Sequence, residues 1–261
     1  MIEGFDIHPT AIVSPAAELA DDVTVGPYTV IGPEVEVAEG TRIGSHVVLK
    51  GPTRIGRENS IFPFASIGED PQDKKYAGER TFLEIGDRNT IREYCTLNRG
   101  TVQDGGVTRI GSDNWLMAYV HVAHDCQLGN NIILANNTSL AGHVRIDDWV
   151  ICSGFAAVHQ FCHIGAHSFL GAYVGMTRDV PPYMMIVGNP PQPRTINAEG
   201  LRRRGFTAEQ IRNIKEASRI LYRSGLRLAE AQERIAGLAA DQPELAILVE
   251  FLESSERGIF R

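Results

Sequence analysis

The sequence predicts an all-β solenoid of short parallel strands, followed by a small α-helical domain. An apolar, mostly branched residue occupies every sixth position from Ile7 to Ile67, and the same period runs from Ile110 to Met176. Neither a helix nor a simple strand has a strict period of six. In addition, many of the 26 glycines directly follow the apolar residue, as Gly26 and Gly32 do. The sequence therefore predicts a repeating unit of one short strand and one tight turn.

Three such units close a triangular coil of 18 residues, and successive coils stack through parallel ladder bonds at about 4.8 Å. The tight turns are expected to need Gly, Asn or Asp. A narrow interior favours aliphatic side chains over rings, which agrees with an aromatic content of 7%. The cysteines all occupy inward positions of this frame and are predicted to fill the core without a redox or metal role. They are Cys95, Cys126, Cys152 and Cys162.

Two segments interrupt the repeat. Residues 68–84, about one coil in length, lack the aliphatic residue at every sixth position. The Gly-rich residues 98–109 shift the six-residue period by one residue. Insertions in a solenoid form loops, and loops often carry function. The first segment is either an extruded loop or a degenerate coil. A tolerated surface insertion is an equally good interpretation of both.

The repeat is predicted to end at residues 179–194, whose prolines are expected to continue neither strand nor helix. Beyond them the apolar period becomes helical, and Thr207 is a candidate N-cap with Glu209 in the first turn. The sequence thus predicts a solenoid domain over residues 1–190 and a helical domain over 191–261. The apolar faces of three helices are expected to pack on each other and on neighbouring chains. These faces contain Ile211, Ile214 and Leu221, then Leu228, Ala231, Ile235 and Leu238, then Leu245, Leu248, Val249 and Leu252.

Composition excludes several classes of protein. No apolar run approaches the roughly 20 residues that span a bilayer, so no stable membrane insertion is expected. The net charge of −7 argues against a nucleic-acid partner. The first residues show no secretory signal, and a reduced cytoplasmic protein is expected. Charge is uneven, however: residues 190–261 hold 12 basic and 10 acidic side chains, against 13 and 22 in residues 1–189. The tail is either a solvated helix face or a docking patch for an acidic partner or a phosphate.

Six of the eight histidines lie between residues 121 and 167. Residues 18 positions apart stack in neighbouring coils, which places His124, Gly142 and Gln160 in one ladder, with Asp125 and His143 beside them. Imidazoles, a carboxylate and an unhindered backbone N–H thus share one edge of the solenoid. The clustering predicts a functional site.

Two chemistries are compatible with this cluster. His121, His124 and His143 are candidate zinc ligands, as in the γ-class carbonic anhydrases, although the histidine spacing differs from theirs. Alternatively, one histidine acts as general base on an alcohol that attacks a thioester, Asp125 orients the ring, and the Gly142 N–H stabilises the oxyanion. A noncatalytic solenoid that binds a sugar nucleotide or scaffolds partners is the third hypothesis. It leaves the adjacent His124, Asp125 and Gly142 without a role.

The repeat over residues 7–188 resembles that of the hexapeptide acyltransferases, whose fold is a left-handed parallel β-helix. The handedness rests on this resemblance alone, because general physics favours right-handed crossovers. Local motifs narrow the resemblance to the UDP-N-acetylglucosamine O-acyltransferase family, the first enzymes of lipid A synthesis. These motifs are QDKKYAGE (72–79), HVAHDC (121–126), LANN (134–137), LAGHV (140–144), VHQFC (158–162), NAEGLRRRGF (197–206) and the terminal RGIFR.

The resemblance implies a homotrimer that transfers a 3-hydroxyacyl group from acyl carrier protein to the 3-hydroxyl of UDP-N-acetylglucosamine, without cofactor or metal. It implies that His124 is the general base, that Asp125 orients it and that Gly142 faces the oxyanion. The basic helices would attract the acidic carrier protein. The residues implied to bind substrate are Asp73 and Lys75 for the sugar nucleotide, His121, His143, His159 and Gln160 along the cleft, and Asn197, Glu199, Arg203 and Arg204 for the nucleotide.

The chain departs from the family pattern at two positions. Asn98 stands where relatives often carry His, so the 98–109 segment is expected to contact ligand differently. Ala172 occupies the position that, in the family, ends the acyl groove, and its methyl group suggests a somewhat shortened acyl chain. A related N-acyltransferase family, which acts two steps later, usually carries an additional N-terminal domain. Here the repeats begin at Ile7, which disfavours that family.

Overall fold

In a computed structural model, residues 7–261 are described. Residues 1–6, which belong to the predicted 1–190 domain and to the segment searched for a secretory signal, lie outside the described residues. Parallel strands form three sheets that wind around one core as a left-handed β-helix, and helices follow at the C-terminal end. The predicted fold class is confirmed.

Each coil passes through the three sheets in turn. Sheet 1 contains β1 (Ile12–Val13), β4 (Val30–Ile31), β7 (Val48–Leu49), β10 (Ser66–Glu69), β13 (Thr96–Asn98), β16 (His121–Val122), β19 (Ser139–Leu140), β22 (Ala157–Val158) and β25 (Gly175–Met176). Sheet 2 contains β2 (Glu18–Leu19), β5 (Val35–Val37), β8 (Thr53–Ile55), β11 (Phe82–Ile85), β14 (Val107–Ile110), β17 (Gln127–Leu128), β20 (Arg145–Ile146) and β23 (His163–Ile164). Sheet 3 contains β3 (Thr24–Val25), β6 (Arg42–Ile43), β9 (Ser60–Ile61), β12 (Thr90–Ile91), β15 (Trp115–Leu116), β18 (Ile133–Leu134), β21 (Ile151–Cys152), β24 (Phe169–Leu170), β26 (Met184–Val187) and β27 (Gln192–Ile196).

The six-residue period does place its residues inward. Leu49, Ile67 and Leu140 have no exposed surface, and all four cysteines are buried and free. Burial raises the pKa of the Cys126 thiol to about 12, so it stays protonated and unreactive. Ile7 is 44% exposed, and Val13 and Leu19 are only partly buried, because these residues lie in the first described coil, at the end of the stack.

The expectation that the turns need Gly, Asn or Asp is wrong at most of them. The left-handed backbone conformation falls on the third residue after the inward one, and there the chain carries residues such as Tyr28 (φ 60°), Phe64 (φ 65°) and His143 (φ 62°). The glycine next to the inward residue serves another purpose, because a Cβ at Gly26 would lie 2.7 Å from the Gly44 carbonyl carbon of the next coil. Close stacking of coils, and not turn conformation, accounts for that glycine.

The expectation that residues 179–194 continue neither strand nor helix is also wrong. Strand β26 continues sheet 3 beside β24, and β27 folds back antiparallel on β26. Pro190 lies in the connecting loop, and Pro193 lies on the edge strand, where a missing N–H interrupts no ladder. Strands therefore extend past residue 190, to Ile196, before the first helix begins at Ala198.

The C-terminal helices are α1 (Ala198–Arg203), α2 (Ala208–Arg223), α3 (Leu228–Ala239) and α4 (Ala246–Ser254). Thr207 caps α2 as predicted, with its hydroxyl accepting from the Gln210 N–H. The short helix α1 was not predicted. The helices join the solenoid core through buried residues, and the Tyr183 hydroxyl donates to the Glu244 carbonyl at 2.6 Å. Within residues 7–261, no helix is both long and apolar enough to cross a membrane.

The first interruption is an extruded loop. Residues 70–81 connect β10 of sheet 1 to β11 of sheet 2, and residues 99–106 connect β13 to β14 at the same corner, one coil later. We call these segments the first loop and the second loop. Their shared corner also contains the residues of the predicted histidine cluster.

Gly68 is the position where this corner depends most on glycine. It lies at a bulge in β10 with a φ of +81°, and a Cβ there would collide with the Lys50 carbonyl oxygen. We predict that Gly68→Ala lowers the free energy of unfolding by about 3 kcal/mol or more, measured by chemical denaturation at matched protein concentration.

Gly78 supplies the matched control. Its φ is +93°, but a Cβ there would meet no atom within 4 Å. Gly78→Ala should therefore cost only the backbone strain of about 1–2 kcal/mol. Equal losses in the two variants would contradict the role assigned to the close approach at Gly68.

Candidate active site

The predicted cluster lies at the corner between sheets 1 and 2. We call this corner the histidine edge; it comprises residues 123–126, 141–144 and 159–162 together with the first and second loops. In the parallel register Val122 pairs with Leu140, and Leu140 with Val158. This register brings His124, Gly142 and Gln160 into one ladder, as the sequence predicts.

The His124 ring is fixed by its neighbour in the chain. Its Nδ1 lies 2.8 Å from Oδ2 of Asp125. A carboxylate only accepts hydrogen bonds, so Nδ1 carries the proton and donates it to this bond. In the neutral ring Nε2 is then the unprotonated nitrogen. This is the tautomer that a general base at Nε2 requires.

Asp125 is 1% exposed and is held by the second loop. Its Oδ1 accepts from the Thr101 N–H at 2.8 Å, and its Oδ2 accepts from the Thr101 hydroxyl at 2.6 Å. Burial opposes ionisation of this carboxyl group, but the hydrogen bonds from His124 and Thr101 outweigh it and keep the pKa below its ordinary value. Asp125 is therefore a carboxylate at neutral pH. Sequence reasoning missed Thr101, since nothing in the repeat pattern marks it.

Gly142 faces the His124 ring in the next coil. A Cβ at this position would lie 2.5 Å from Cε1 and 2.6 Å from Nε2 of His124, so only glycine fits. Within the described chain the Gly142 N–H donates no hydrogen bond. Nε2 of His124 and a backbone N–H without an acceptor in the described chain thus lie near one another at this edge.

His143 stands beside this pair, with its ring perpendicular to that of His124 at a centroid distance of 5.0 Å. Its Nδ1 donates to Asp104 of the second loop at 2.7 Å, and its Nε2 lies 3.8 Å from Asp125. His121 is half-buried, with Nδ1 2.7 Å from the Thr96 hydroxyl. Burial and the nearby His124 lower the pKa of His121, which keeps it neutral.

The next coil adds His159 and Gln160, which are both exposed at the edge. The His159 Nδ1 lies 3.5 Å from the guanidinium Nη2 of Arg257, a residue from the end of the chain. Sequence reasoning missed this contact, because only the folded tail brings Arg257 to the corner.

The first loop places Asp73 and Lys75 on the same corner. Asp73 Oδ1 accepts from the Lys75 N–H at 3.0 Å, which forms a tight turn, and the Lys75 side chain is exposed. The loop is anchored by the second interruption, where the Asn98 amide donates to the Asp70 carbonyl at 2.6 Å. Asn98 is thus 2% exposed and engaged with the protein chain.

Arg99 is the second anchor of the first loop and is 6% exposed. Its guanidinium donates to the Gly51 carbonyl at 3.1 Å, the Gly68 carbonyl at 2.5 Å and the Tyr76 hydroxyl at 3.1 Å, and it forms an ion pair with Asp70. A buried guanidinium with these partners fixes where the loop leaves the solenoid.

Other predicted site residues lie on different corners of the same chain. Asn197 donates to the His167 carbonyl at 2.9 Å, and Arg204 lies 3.2 Å from the His167 ring nitrogen, at the corner between sheets 2 and 3. Glu199 pairs with Arg203 at 3.0 Å in helix α1. Ala172 lies at the corner between sheets 3 and 1 and is exposed. A single chain does not bring these residues to His124.

A three-sided β-helix built from six-residue repeats is the architecture of the hexapeptide-repeat transferases. Residues 16–51 and 108–142 match the family profile described as bacterial transferase hexapeptide (six repeats). Residues 179–260 match the profile described as UDP N-acetylglucosamine O-acyltransferase, domain 2.

Relatives of known name extend this result to the whole chain. The acyl-(acyl-carrier-protein)–UDP-N-acetylglucosamine O-acyltransferase of Thiobacillus denitrificans is 58% identical over 98% of this chain and 99% of that protein. The LpxA structure from Acinetobacter baumannii is 49% identical, with a TM-score of 0.96 over 98% of this chain and 100% of that one. The acyltransferase structure from Francisella novicida is 44% identical, with a TM-score of 0.96 over 98% and 94%. The chain belongs to the UDP-N-acetylglucosamine O-acyltransferase family and is an acyltransferase.

The anchoring role of Arg99 predicts a change in the mobility of the first loop. We expect Arg99→Ala to release the loop, because it removes the donors to Asp70 and Tyr76 at once. Limited trypsin digestion should then cleave after Lys74 or Lys75 at least about tenfold faster than in the parent chain, since cleavage follows local opening.

Arg88→Ala is the matched control, because Arg88 is an exposed arginine whose bidentate partner Asp113 lies outside both loops. It should leave cleavage at Lys74 and Lys75 unchanged. An unchanged rate in Arg99→Ala as well would show that Arg99 does not hold the loop.

Proposed function

We propose that the protein transfers a 3-hydroxyacyl group from acyl carrier protein to the 3-hydroxyl of UDP-N-acetylglucosamine, the first step of lipid A synthesis, in the cytoplasm. The observation that carries this proposal is the geometry at His124, where a carboxylate-held ring faces an unhindered backbone N–H. The names of the relatives supply the acyl carrier protein and the sugar nucleotide as substrates.

In the proposed reaction the substrate hydroxyl approaches Nε2 of His124. This nitrogen accepts the hydroxyl proton while the oxygen attacks the thioester carbonyl carbon, and Asp125 stabilises the resulting imidazolium. The carbonyl oxygen becomes an oxyanion that accepts from the Gly142 N–H. When the tetrahedral intermediate collapses, the C–S bond breaks, and His124 returns the proton to the leaving thiolate.

Further residues are proposed to bind the substrates around this centre. Asp73 and Lys75 on the first loop approach from one side and are proposed to hold the sugar nucleotide. His121, His143, His159 and Gln160 are proposed to line the cleft. His143 suits this role because Asp104 fixes its Nδ1 proton, which leaves Nε2 as an acceptor in the neutral ring.

A homotrimer is proposed because of the positions of the remaining residues. Asn197, Glu199, Arg203 and Arg204 are separated from His124 by the width of sheet 2, and Ala172 lies on the third corner. A neighbouring subunit that presents its own corner to the histidine edge would supply the nucleotide-binding residues and the end of the acyl groove. If this head-to-tail contact closes into a ring of three subunits, the same site is formed at each of the three interfaces.

The basic tail supports the proposal of an acidic carrier protein as donor. A groove between β27 and α2 is lined by several cationic side chains and one carboxylate, Glu216, which is already paired with Arg219. Such a surface attracts an acidic partner through long-range electrostatics and raises the rate of encounter. The cationic residues of the groove are Arg194, Arg212, Lys215, Arg219 and Arg223.

A metal centre is the second candidate, and one observation favours it. Ligand atoms of His124, Asp125 and His143 lie within 4.8 Å of one another. This set replaces the predicted His121 with Asp125. However, the Asp125 oxygens already accept hydrogen bonds from Thr101 and His124, and a cation would have to displace these donors. The hydrogen-bond network therefore favours the general-base hypothesis.

The general-base assignment predicts a large loss in His124→Ala. Transfer from a 3-hydroxyacyl carrier protein to UDP-N-acetylglucosamine should fall at least about 100-fold, because a positioned base contributes 100-fold or more. The product is measured by mass spectrometry, and the unfolding midpoint should stay within a few degrees of the parent value.

Gln127→Ala is the control, because Gln127 lies on the same coil but its amide donates to the Val107 carbonyl on sheet 2. This variant should keep the parent rate of transfer. Normal turnover in His124→Ala would contradict the assignment of His124 as the general base. Stoichiometric bound metal, together with activity lost to a chelator and restored by zinc, would support the metalloenzyme instead.

The trimer proposal predicts complementation between inactive subunits. His124→Ala and Arg204→Ala are each expected to be inactive alone, because every site needs both residues. The two variants are co-expressed with different affinity tags, and the mixed trimers are purified. These should regain roughly a third of the parent activity, since one of the three interfaces then combines an intact His124 from one subunit with an intact Arg204 from the other. Mixed oligomers without activity would contradict a site shared between subunits.

A further inference from the structure

The ladder of the histidine edge continues past Gln160 to a residue that the proposed reaction does not use. Met176 pairs with Val158 in sheet 1, just as Val158 pairs with Leu140. Arg178 follows Met176 by two residues, as Gln160 follows Val158. It is therefore the next member of the ladder, two coils beyond Gly142, at about 10 Å from it with 4.8 Å per strand.

A second arginine is brought to the same place by Asp179. This carboxylate is 2% exposed; its Oδ2 accepts from the Ser255 hydroxyl at 2.7 Å and from the Arg257 N–H at 3.2 Å. The Asp179 N–H in turn donates to the Gly258 carbonyl at 2.9 Å. The end of the chain is thus fastened to the last coil, with Arg257 beside the histidine edge.

Both guanidinium groups are available to an anion. Arg178 and Arg257 are exposed, and neither forms an ion pair with a carboxylate in the described part of the chain. Within residues 7–261 Arg178 donates to the Ile259 carbonyl, at 3.3 Å, and lies over the Phe260 ring at 5.9 Å. In contrast, solenoid arginines such as Arg54 and Arg88 are paired with acidic residues. Arginine side chains free of acidic partners bind phosphate oxygens well, often with two hydrogen bonds.

The direction of the ladder places this pair on the thioester side of His124. The first loop, with Asp73 and Lys75, lies on the N-terminal side of His124, whereas the oxyanion donor Gly142 lies on the C-terminal side. The thioester therefore lies toward the C-terminal end of the edge, where exposed Gln160, Arg178 and Arg257 follow. This polar, cationic path suits the prosthetic arm of the donor and not its apolar acyl chain.

We propose that Arg178 and Arg257 bind the phosphodiester group of the donor's phosphopantetheine arm. The inference rests on the proposed function, since it assumes a thioester donor at Gly142. The pair would align the arm along the histidine edge and so place the carbonyl at the oxyanion donor. The diphosphate of the sugar nucleotide is the other source of phosphate in this reaction, and the test separates the two.

The test compares two small donors, 3-hydroxyacyl 4′-phosphopantetheine and the same thioester without the phosphate. The parent protein should prefer the phosphorylated donor by about tenfold or more in kcat/KM, because charge-assisted hydrogen bonds are the strong ones. In Arg178→Gln/Arg257→Gln that preference should fall toward one, while the KM for UDP-N-acetylglucosamine stays at the parent value. Each single variant should lose part of the preference.

Arg54→Gln/Arg57→Gln is the matched control, because it removes two exposed arginines from distant N-terminal coils and should retain the preference. A parent protein that turns over both donors equally would overturn the inference, as would a double variant that keeps the preference. A raised KM for UDP-N-acetylglucosamine would also overturn it and assign the pair to the diphosphate. Failure of the parent protein to turn over any 3-hydroxyacyl donor, carrier-bound or small, would instead refute the proposed function.

Discussion

The parallel ladder between successive coils determines where every site residue of the solenoid lies. It stacks residues 18 positions apart, so His124, Gly142 and Gln160 meet without any dedicated loop to place them. The same tight stacking forces glycine where a coil approaches its neighbour, as at Gly26. At Gly142 the need for glycine has a different cause, since the missing side chain makes room for the His124 ring.

The corner becomes chemically specific through its two loops. Thr101 and Asp104 of the second loop hold Asp125 and His143, and Arg99 at its start anchors the first loop. The backbone of the solenoid is rigid and repetitive, so the loops supply the side chains that make one coil differ from the next. The stacking of coils thus determines the position of His124, whereas Asp125, held by the second loop, determines which ring nitrogen is protonated.

Much of the fold and of the histidine edge could be predicted from the sequence, because a strict period of six fixes the sheet and the coil in which each residue lies. The ladder at His124, the buried cysteines and the Thr207 cap are all consequences of local period or local chemistry. Thr101, Arg99 and Arg257 could not be predicted, because their partners lie far away in the sequence and no period relates them. The strand that contains Pro193 was missed for a different reason: proline forbids a central ladder position but not an edge.

Asp125 holds His124 as the Nδ1–H tautomer, with Nε2 free to accept a proton. Nitrogen-15 NMR of the histidine rings, with His124 assigned by substitution, measures this protonation pattern. In the neutral ring we expect a protonated Nδ1 and an unprotonated Nε2, and we expect Asp125→Asn to disturb this state. A neutral His124 that carries its proton on Nε2 would contradict the role assigned to Asp125.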